Sequence, residues 1–93
     1  LGAPFNMAQY AMLTHFMANC VNMLPGELVY TVGDTHLYSN HVEQATEQLG
    51  RTPNVLPTLS ITRKLNDPAE VEWEDLKLEN YHSQGAIKAP IAV

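Results

Sequence analysis

The first long segment of the chain has apolar residues on nearly every side of a helical wheel. Residues 7–21 read "MAQYAMLTHFMANCV" and carry almost no charge. Two apolar lines run along this segment at helical spacing, formed by Ala8, Met12 and Phe16 and by Tyr10, Leu13, Met17 and Cys20. The pattern predicts a helix that is buried all round. A two-layer domain of this length can cover only one face of it, so we expect further chain segments to cover the rest.

The next two predicted elements follow a Pro-Gly turn. Residues 27–32, "ELVYTV", alternate between two largely apolar faces, which predicts a strand that is covered on both sides. A second helix is predicted from Asn40, an N-cap residue with Glu43 three positions later and Gly50 as the stop. Its apolar face is formed by Val42, Ala45 and Leu49. We expect the charged face of this helix to lie in solvent.

Two further strands are predicted after the Pro-punctuated connector "RTPNVLP". Residues 58–64, "TLSITRK", alternate apolar and hydroxyl side chains, which is typical of a half-exposed strand. The segment "WEDLKLENY" alternates less regularly and predicts a third strand from about Asp75. The hydrophobic pattern thus predicts about two helices and three strands.

Composition narrows the class of protein. Ninety-three residues with 45% hydrophobic content suffice for one small domain, but so short a chain is marginally stable alone, and we expect it to need a partner. The net charge of −5 and the lack of a basic stripe argue against nucleic acid. The sequence has no signal pattern or membrane-length apolar run, and one cysteine cannot form an internal disulfide, which predicts a cytoplasmic protein without a membrane partner. Because it begins at Leu1, we interpret the chain as a fragment or a processed piece.

Covalent and metal chemistry are not predicted for these residues. Cys20 is the only thiol, and it lies in the apolar helix without a basic neighbour that would activate it, so we expect a packed side chain rather than a nucleophile. The histidines lack metal-binding spacing, and they are His15, His36, His41 and His82. The scattered glycines form no phosphate-binding loop.

Two groups of polar side chains remain as binding candidates. Asn6 begins the apolar helix, so it is either an N-cap or a carboxamide that faces a cleft, where it would match the acceptor and donor on the edge of a uracil ring. His36 and Tyr38 are separated by one residue and point to the same side of an extended backbone. They would either hold a hydroxyl group, such as that of a sugar, or decorate the surface. The residues alone leave both pairs of alternatives open.

Five segments of the chain resemble one protein family in their order and spacing. They are "LGAPFNMAQYAMLTHFMA", "GDTHLYSNHVEQ", "PTLSITRK", "WEDLKLENY" and the terminal "IKAPIAV". Together they resemble the C-terminal third of the thymidylate synthases. The resemblance implies an α+β fold with a mixed sheet packed against helices, in which residues 1–93 would form the C-terminal segment of a single domain. It also implies a homodimer whose subunits meet sheet to sheet.

The resemblance further implies an enzyme, a methyltransferase of nucleotide biosynthesis. Members of the family convert dUMP to dTMP with 5,10-methylenetetrahydrofolate as cosubstrate and release dihydrofolate, without a metal. Their nucleophilic cysteine, phosphate-binding arginines and folate-handling aspartate lie upstream of the matched part, and Cys20 does not match the catalytic motif. We therefore expect no catalytic residue in this chain, no activity of the isolated 93 residues, and a missing N-terminal segment of the same protein as its first partner.

The resemblance implies ligand-binding roles position by position. Asn6 matches the asparagine that hydrogen-bonds the uracil edge of dUMP, and His36 and Tyr38 match the pair that binds the 3′-hydroxyl of its deoxyribose. The positions that match the folate side of the cleft are Leu1, Gly2, Phe5, Ile91, Ala92 and Val93. The last three belong to residues 86–93, which are expected to form a mobile tail that closes over the cofactor.

Two alternatives to this function stay open. Asn6 favours a uracil nucleotide, because the related cytidylate hydroxymethylases carry Asp at this place. It does not exclude a deoxyuridylate hydroxymethylase, in which water rather than hydride ends the reaction. The other alternative is a non-catalytic chain that kept the fold as a binding or interaction module. One departure from the family pattern, "HSQG" at residues 82–85 in place of Asp-Pro-His-Pro, affects only the expected path of the tail.

Overall fold

The computed structural model describes residues 1–91, which form two α-helices and one small antiparallel sheet. The elements in chain order are α1 (Ala3–Cys20), α2 (Val42–Leu49), β1 (Thr58–Ile61) and β2 (Leu76–Glu79). Short 3₁₀ turns occupy Ser39–His41, Pro68–Glu70 and Trp73–Asp75. The α+β class expected from the sequence is confirmed. Of the three predicted strands, the two after residue 57 are present.

Helix α1 begins four residues earlier than its apolar pattern predicts, because Pro4 stands in the first turn, where its fixed φ suits a helix start. Gly2 is the N-cap, so the interpretation of Asn6 as an N-cap is wrong and Asn6 lies inside the helix. At the other end Asn22 adopts a left-handed φ of 59°, and the N–H of Met23 donates to the carbonyl oxygen of Ala18 at 2.9 Å. This bond satisfies a free carbonyl at the helix end and turns the chain away.

The prediction that α1 is buried all round is wrong within residues 1–91. Only Ala18 of this helix is buried, whereas Phe5 is 80% and Tyr10 56% exposed. The helix packs on one side against β1 and the Pro68–Glu70 turn. The described chain therefore covers one face of α1, as the size argument expected, and leaves the other apolar line in solvent.

Residues 27–32 do not form the predicted strand. They run in an irregular path, and Val29 is 82% exposed. A strand needs a neighbour that accepts its backbone hydrogen bonds, but within residues 1–91 β1 and β2 pair only with each other. Residues 27–32 thus have the composition of a buried strand, but no described segment pairs with them.

Helix α2 follows the 3₁₀ turn Ser39–His41, and this turn changes its predicted start. Its N-cap is His41, which provides no side-chain cap, so the assignment of Asn40 as the N-cap is wrong. The predicted stop is confirmed, since α2 ends at Leu49 and Gly50 follows as its C-cap. Glu43 lies in the first turn, where a negative charge is favourable near the helix N-terminus.

The β-hairpin is fastened to the end of α1 by three polar side chains, which we call the hairpin cluster: Asn19, Arg63 and Asp75. The Asn19 side chain donates to the carbonyl oxygen of Arg63 at 3.1 Å and accepts from the N–H of Leu65 at 2.8 Å. Leu65 is fully buried beneath this contact. Arg63 in turn donates from Nε to Asp75 Oδ1 at 2.8 Å.

Both oxygens of the Asp75 carboxylate are occupied, because Oδ2 accepts from the N–H of Glu72 at 3.0 Å. The hydrogen bond from Arg63, and then that from the Glu72 backbone, lower the pKa of Asp75 below its usual value. The hairpin cluster is thus a self-contained structural contact.

Candidate functional site

The N-terminal end of α1 brings four predicted ligand positions together. Leu1 and Gly2 precede the helix, and Phe5 and Asn6 lie in its first turns with exposed side chains. The Asn6 carboxamide makes no hydrogen bond to any other part of residues 1–91. Gly2 has φ −83°, and an added Cβ would meet nothing within 4 Å, so the space around the helix start is open. This end of α1 can therefore offer a carboxamide and apolar surface to a ligand.

His36 lies in extended chain just after the bend at Gly33 and Asp34. Its Nδ1 is 2.9 Å from the carbonyl oxygen of Asp34 and 3.7 Å from the Asp34 carboxylate. Because both partners can only accept, Nδ1 carries hydrogen, and in the neutral ring Nε2 is left as an acceptor. The local backbone thus fixes which ring nitrogen is available to a ligand.

Tyr38 stands beside His36, as the spacing predicts. The two ring centroids are 5.5 Å apart, with an angle of 53° between the planes, and half of Tyr38 is exposed. Its hydroxyl has no hydrogen-bond partner among the described residues. His36 Nε2 can accept one hydrogen bond and the Tyr38 hydroxyl can donate another, which is the complement that an alcohol group requires.

A third ring, that of His41, extends this arrangement. It meets the Tyr38 ring edge-on, at 5.4 Å between centroids and 67° between planes. We call His36, Tyr38 and His41 the ring cluster. Unlike its two neighbours, His41 is buried, and its Nε2 lies 2.6 Å from the carbonyl oxygen of Pro90. The sequence gives His41 no role beyond a place among four histidines without metal-binding spacing, because no local pattern shows that a residue in a polar turn will be buried by chain 49 residues away.

The final segment is fastened along the connector between α2 and β1. Asn54 donates to the carbonyl oxygen of His82 at 2.7 Å, and Arg51 donates to that of Gly85 at 2.9 Å. Gly85 has φ +91°, a conformation that glycine adopts without strain. Ile91 is the last residue that the structure describes, so the predicted folate contacts Ala92 and Val93 lie outside it. The mobility of residues 86–93 stays a prediction.

The structure pairs His36 with Tyr38 but does not join them to Asn6. Within residues 1–91, no hydrogen bond or ring contact links Asn6 to either side chain. An open apolar groove of about 660 Å³ lies elsewhere, between α1 and the irregular residues 23–31. Asn6, His36 and Tyr38 are not among its lining residues. The groove marks uncovered apolar surface of α1 rather than the predicted ligand site.

Other chemistry is not indicated in the described part of the chain. Cys20 is partly buried near the end of α1, without a disulfide. Residues 1–91 contain no group of three or more side chains that is suited to a metal ion. Over the same residues, no helix has both the length and the apolar character to cross a membrane.

Comparison with known proteins gives one consistent result. The family model described as thymidylate synthase matches residues 1–93. Thymidylate synthases of three strains of Francisella tularensis subsp. holarctica, FTNF002-00/FTA, OSU18 and LVS, are each 50% identical to this chain over 93 residues. The match covers 100% of this chain but 34% of each relative, so the chain spans about a third of their length.

Proposed function

This chain belongs to the thymidylate synthase family, and from that premise we propose that it supplies part of the dUMP and folate sites of a methyltransferase that makes dTMP. The observation that carries the proposal is the pairing of His36 with Tyr38, whose rings lie 5.5 Å apart and leave one acceptor and one donor without a partner in residues 1–91. The one-carbon donor and reductant would be 5,10-methylenetetrahydrofolate, and dihydrofolate would be released.

The ring cluster would bind the sugar of dUMP. The 3′-hydroxyl would donate to His36 Nε2 and accept from the Tyr38 hydroxyl. The bond from Nδ1 to the Asp34 carbonyl oxygen, at 2.9 Å, supports this role because it keeps Nε2 as the acceptor. The hydroxyl is remote from the pyrimidine, so its binding energy would orient the base for reaction rather than take part in bond making.

Asn6 would recognise the base. Its carboxamide offers one acceptor and two donors, which match the adjacent N–H and carbonyl groups on the edge of uracil. Two features support the role: the side chain is exposed, and no other part of residues 1–91 occupies its hydrogen-bonding groups. A helix is also a rigid base for an amide that must discriminate between two pyrimidines.

The folate side would be formed by Leu1, Gly2 and Phe5 together with Ile91, Ala92 and Val93. Phe5 and Ile91 have large exposed apolar side chains, at 80% and 88%, which suits contact with a flat ring system. Residues 86–93 would close over the bound folate and exclude water from the reacting atoms. Closure over the folate is thus the role that we propose for the tail.

The nucleophile would come from the rest of the protein. Cys20 is partly buried at the end of α1 and carries no role in the proposal. The protein that contains this chain would act as a cytoplasmic homodimer, and the uncovered apolar line of α1 supports further packing partners.

The direct test is to assay the complete gene product with dUMP and methylenetetrahydrofolate, following dihydrofolate by absorbance and the nucleotide product by mass. We expect dTMP and dihydrofolate in equal amounts, and no turnover by the isolated 93 residues. Hydroxymethylated nucleotide without dihydrofolate would instead identify a hydroxymethylase. Absence of any nucleotide binding would leave only a non-catalytic module.

A further inference from the structure

His41 is unusual among the described residues because it is a buried polar side chain. Within residues 1–91 it is one of only four buried residues, and the others are Ala18, Leu65 and Asp75. Asp75 has hydrogen bonds on both carboxylate oxygens. His41 by contrast has one bonded ring nitrogen, Nε2, while Nδ1 is buried without a partner in this part of the chain.

The two contacts of His41 reach parts of the chain that are far apart in sequence. Within the ring cluster, the backbone N–H of His41 donates to the carbonyl oxygen of Tyr38 at 2.9 Å, and its ring lies edge-on against the Tyr38 ring. Towards the tail, Nε2 donates to the carbonyl oxygen of Pro90 at 2.6 Å. A carbonyl oxygen only accepts, so the hydrogen must be on Nε2.

We propose that His41 is a positioning residue that holds the C-terminal tail, through Pro90, next to the ring of Tyr38. The inference rests on the proposed function of the ring cluster and the tail. Among residues 1–91, the bond to Pro90 is the last hydrogen bond along the tail, directly before the predicted folate contact Ile91. Fixing Pro90 therefore sets the point from which the folate-contacting residues start.

Packing alone does not account for a histidine at this position. A phenylalanine would provide the same edge-on contact with Tyr38 without burying an unpaired Nδ1, which is unfavourable. What a histidine adds is the Nε2 donor that captures the Pro90 carbonyl. Proline has no backbone N–H, so the carbonyl is the only backbone group of Pro90 that can be captured.

The consequence is a coupling between the two ligand sites. A nucleotide that orders Tyr38 would also order the ring of His41, and through it the start of the closing segment. The start of the tail would then already be ordered in the nucleotide complex. Closure would therefore cost less conformational entropy there than in the free protein. The expected signature is a loss in kcat that is much larger than any change in dUMP affinity.

The test compares His41→Phe, His41→Gln and His82→Phe in the complete gene product. Gln can place its Nε2 donor near the Pro90 carbonyl, and His82 is exposed and uses only its backbone carbonyl oxygen in a hydrogen bond. Carboxypeptidase release of the residues that follow Pro90, measured without ligand, reports on the tail contact. Steady-state kinetics and dUMP titration report on the coupling.

We expect His41→Phe to speed release of the terminal residues about fivefold, the change that corresponds to losing one hydrogen bond. The kcat should fall about tenfold with a change in dUMP affinity of less than about threefold. His41→Gln should recover most of both losses, and His82→Phe should behave as the unmodified protein. Unchanged release by His41→Phe, or equal effects of His41→Phe and His82→Phe, would overturn the proposal.

A second measurement applies if the Phe variant does not fold. The Nε2–H proton of His41 in the ¹H–¹⁵N spectrum of the unmodified complete protein should be shifted downfield and exchange slowly with solvent, and a variant that ends at Ala89 should lose both properties. An unchanged spectrum after truncation would also overturn the proposal. If carboxypeptidase release responds to His41→Phe but no dTMP is ever formed, the tail contact stands and the proposed function fails.

Discussion

The hairpin cluster and the ring cluster both contain polar side chains, but the hydrogen-bonding groups of the first are occupied within the chain, whereas the His36–Tyr38 pair of the second has groups without partners. In the hairpin cluster, both carboxylate oxygens of Asp75 and both the nitrogen and the oxygen of the Asn19 side-chain amide have partners within the chain. In the ring cluster, His41 Nε2 is bonded to Pro90, but the Tyr38 hydroxyl and His36 Nε2 have no partner in residues 1–91. The first arrangement stabilises the fold, whereas the second leaves paired groups for a ligand.

The same contrast separates the two ends of α1. Its C-terminal end is held by Asn19, which joins the hairpin through Arg63 and Leu65. Its N-terminal end presents Phe5 and Asn6 to solvent. One helix thus links a structural contact to a predicted binding surface, and substitutions at its two ends should affect different measurements.

The largest expected effect is on base selection. In the complete protein, Asn6→Asp should change the ratio of kcat/KM for uracil over cytosine nucleotides by at least about a hundredfold, because a carboxyl group suits the exocyclic amine of cytosine. Competition between dUMP and dCMP measures this ratio. Asn80→Asp is the matched control, since Asn80 is exposed and lies beyond the end of β2. An unchanged ratio in Asn6→Asp would argue against base recognition by this end of α1.

Next in size is the effect of shortening the tail. Deletion of Val93 should lower kcat about a hundredfold while dUMP affinity changes little, because closure aligns the reacting atoms rather than binding the nucleotide. Rapid-quench turnover and dUMP titration distinguish the two quantities. Val93→Ala keeps the chain length and should lose much less. Equal losses in kcat and affinity would contradict the assignment of the tail to closure.

Local signals in the sequence determine some elements of this fold and not others. Gly50 and the alternation of residues 58–64 were enough to place the end of α2 and strand β1, because caps and alternation are local signals. The alternation of residues 27–32 wrongly predicted a strand, since a strand also needs a partner that no local pattern specifies. The sequence left open whether Asn6 is an N-cap, and the structure excludes this because Pro4 lies in the first turn and Gly2 is the N-cap.

For the candidate site, the sequence could place His36 beside Tyr38, since two residues of extended chain fix their common side. It could not show that Asp34 fixes the ring nitrogen of His36, or that His41 is buried against Pro90. Both depend on the folded path of the backbone, and the second joins residues 49 positions apart.

The smallest expected effect on activity comes from the hairpin cluster. Asp75→Asn should lower the melting temperature by a few degrees and leave kcat unchanged within about twofold, because its partners are structural. Glu74→Gln, an exposed neighbour, should change neither quantity. A clear loss of nucleotide binding in Asp75→Asn at a temperature where it is folded would contradict the separation of the two clusters.

The same variant has a predictable pH dependence. The hydrogen bond from Arg63 lowers the pKa of Asp75, so the carboxylate stabilises the fold above its ordinary value, about 4, and loses this contribution as the pH falls through the lowered pKa. The difference in melting temperature between the unmodified protein and Asp75→Asn should therefore be full near neutral pH and shrink in acid. A difference that stays constant down to about pH 2 would contradict the ion pair as its source.

The central claim, that the ring cluster binds the sugar hydroxyl, is tested most directly by a double comparison in the complete protein. The dissociation constants of dUMP and of its 2′,3′-dideoxy analogue are measured with the unmodified protein, Tyr38→Phe and the control Tyr81→Phe. Removing the 3′-hydroxyl should weaken binding about five- to tenfold in the unmodified protein and in Tyr81→Phe, but only about two- to threefold in Tyr38→Phe, where the bond to His36 Nε2 remains. The same penalty in all three proteins would contradict the claim.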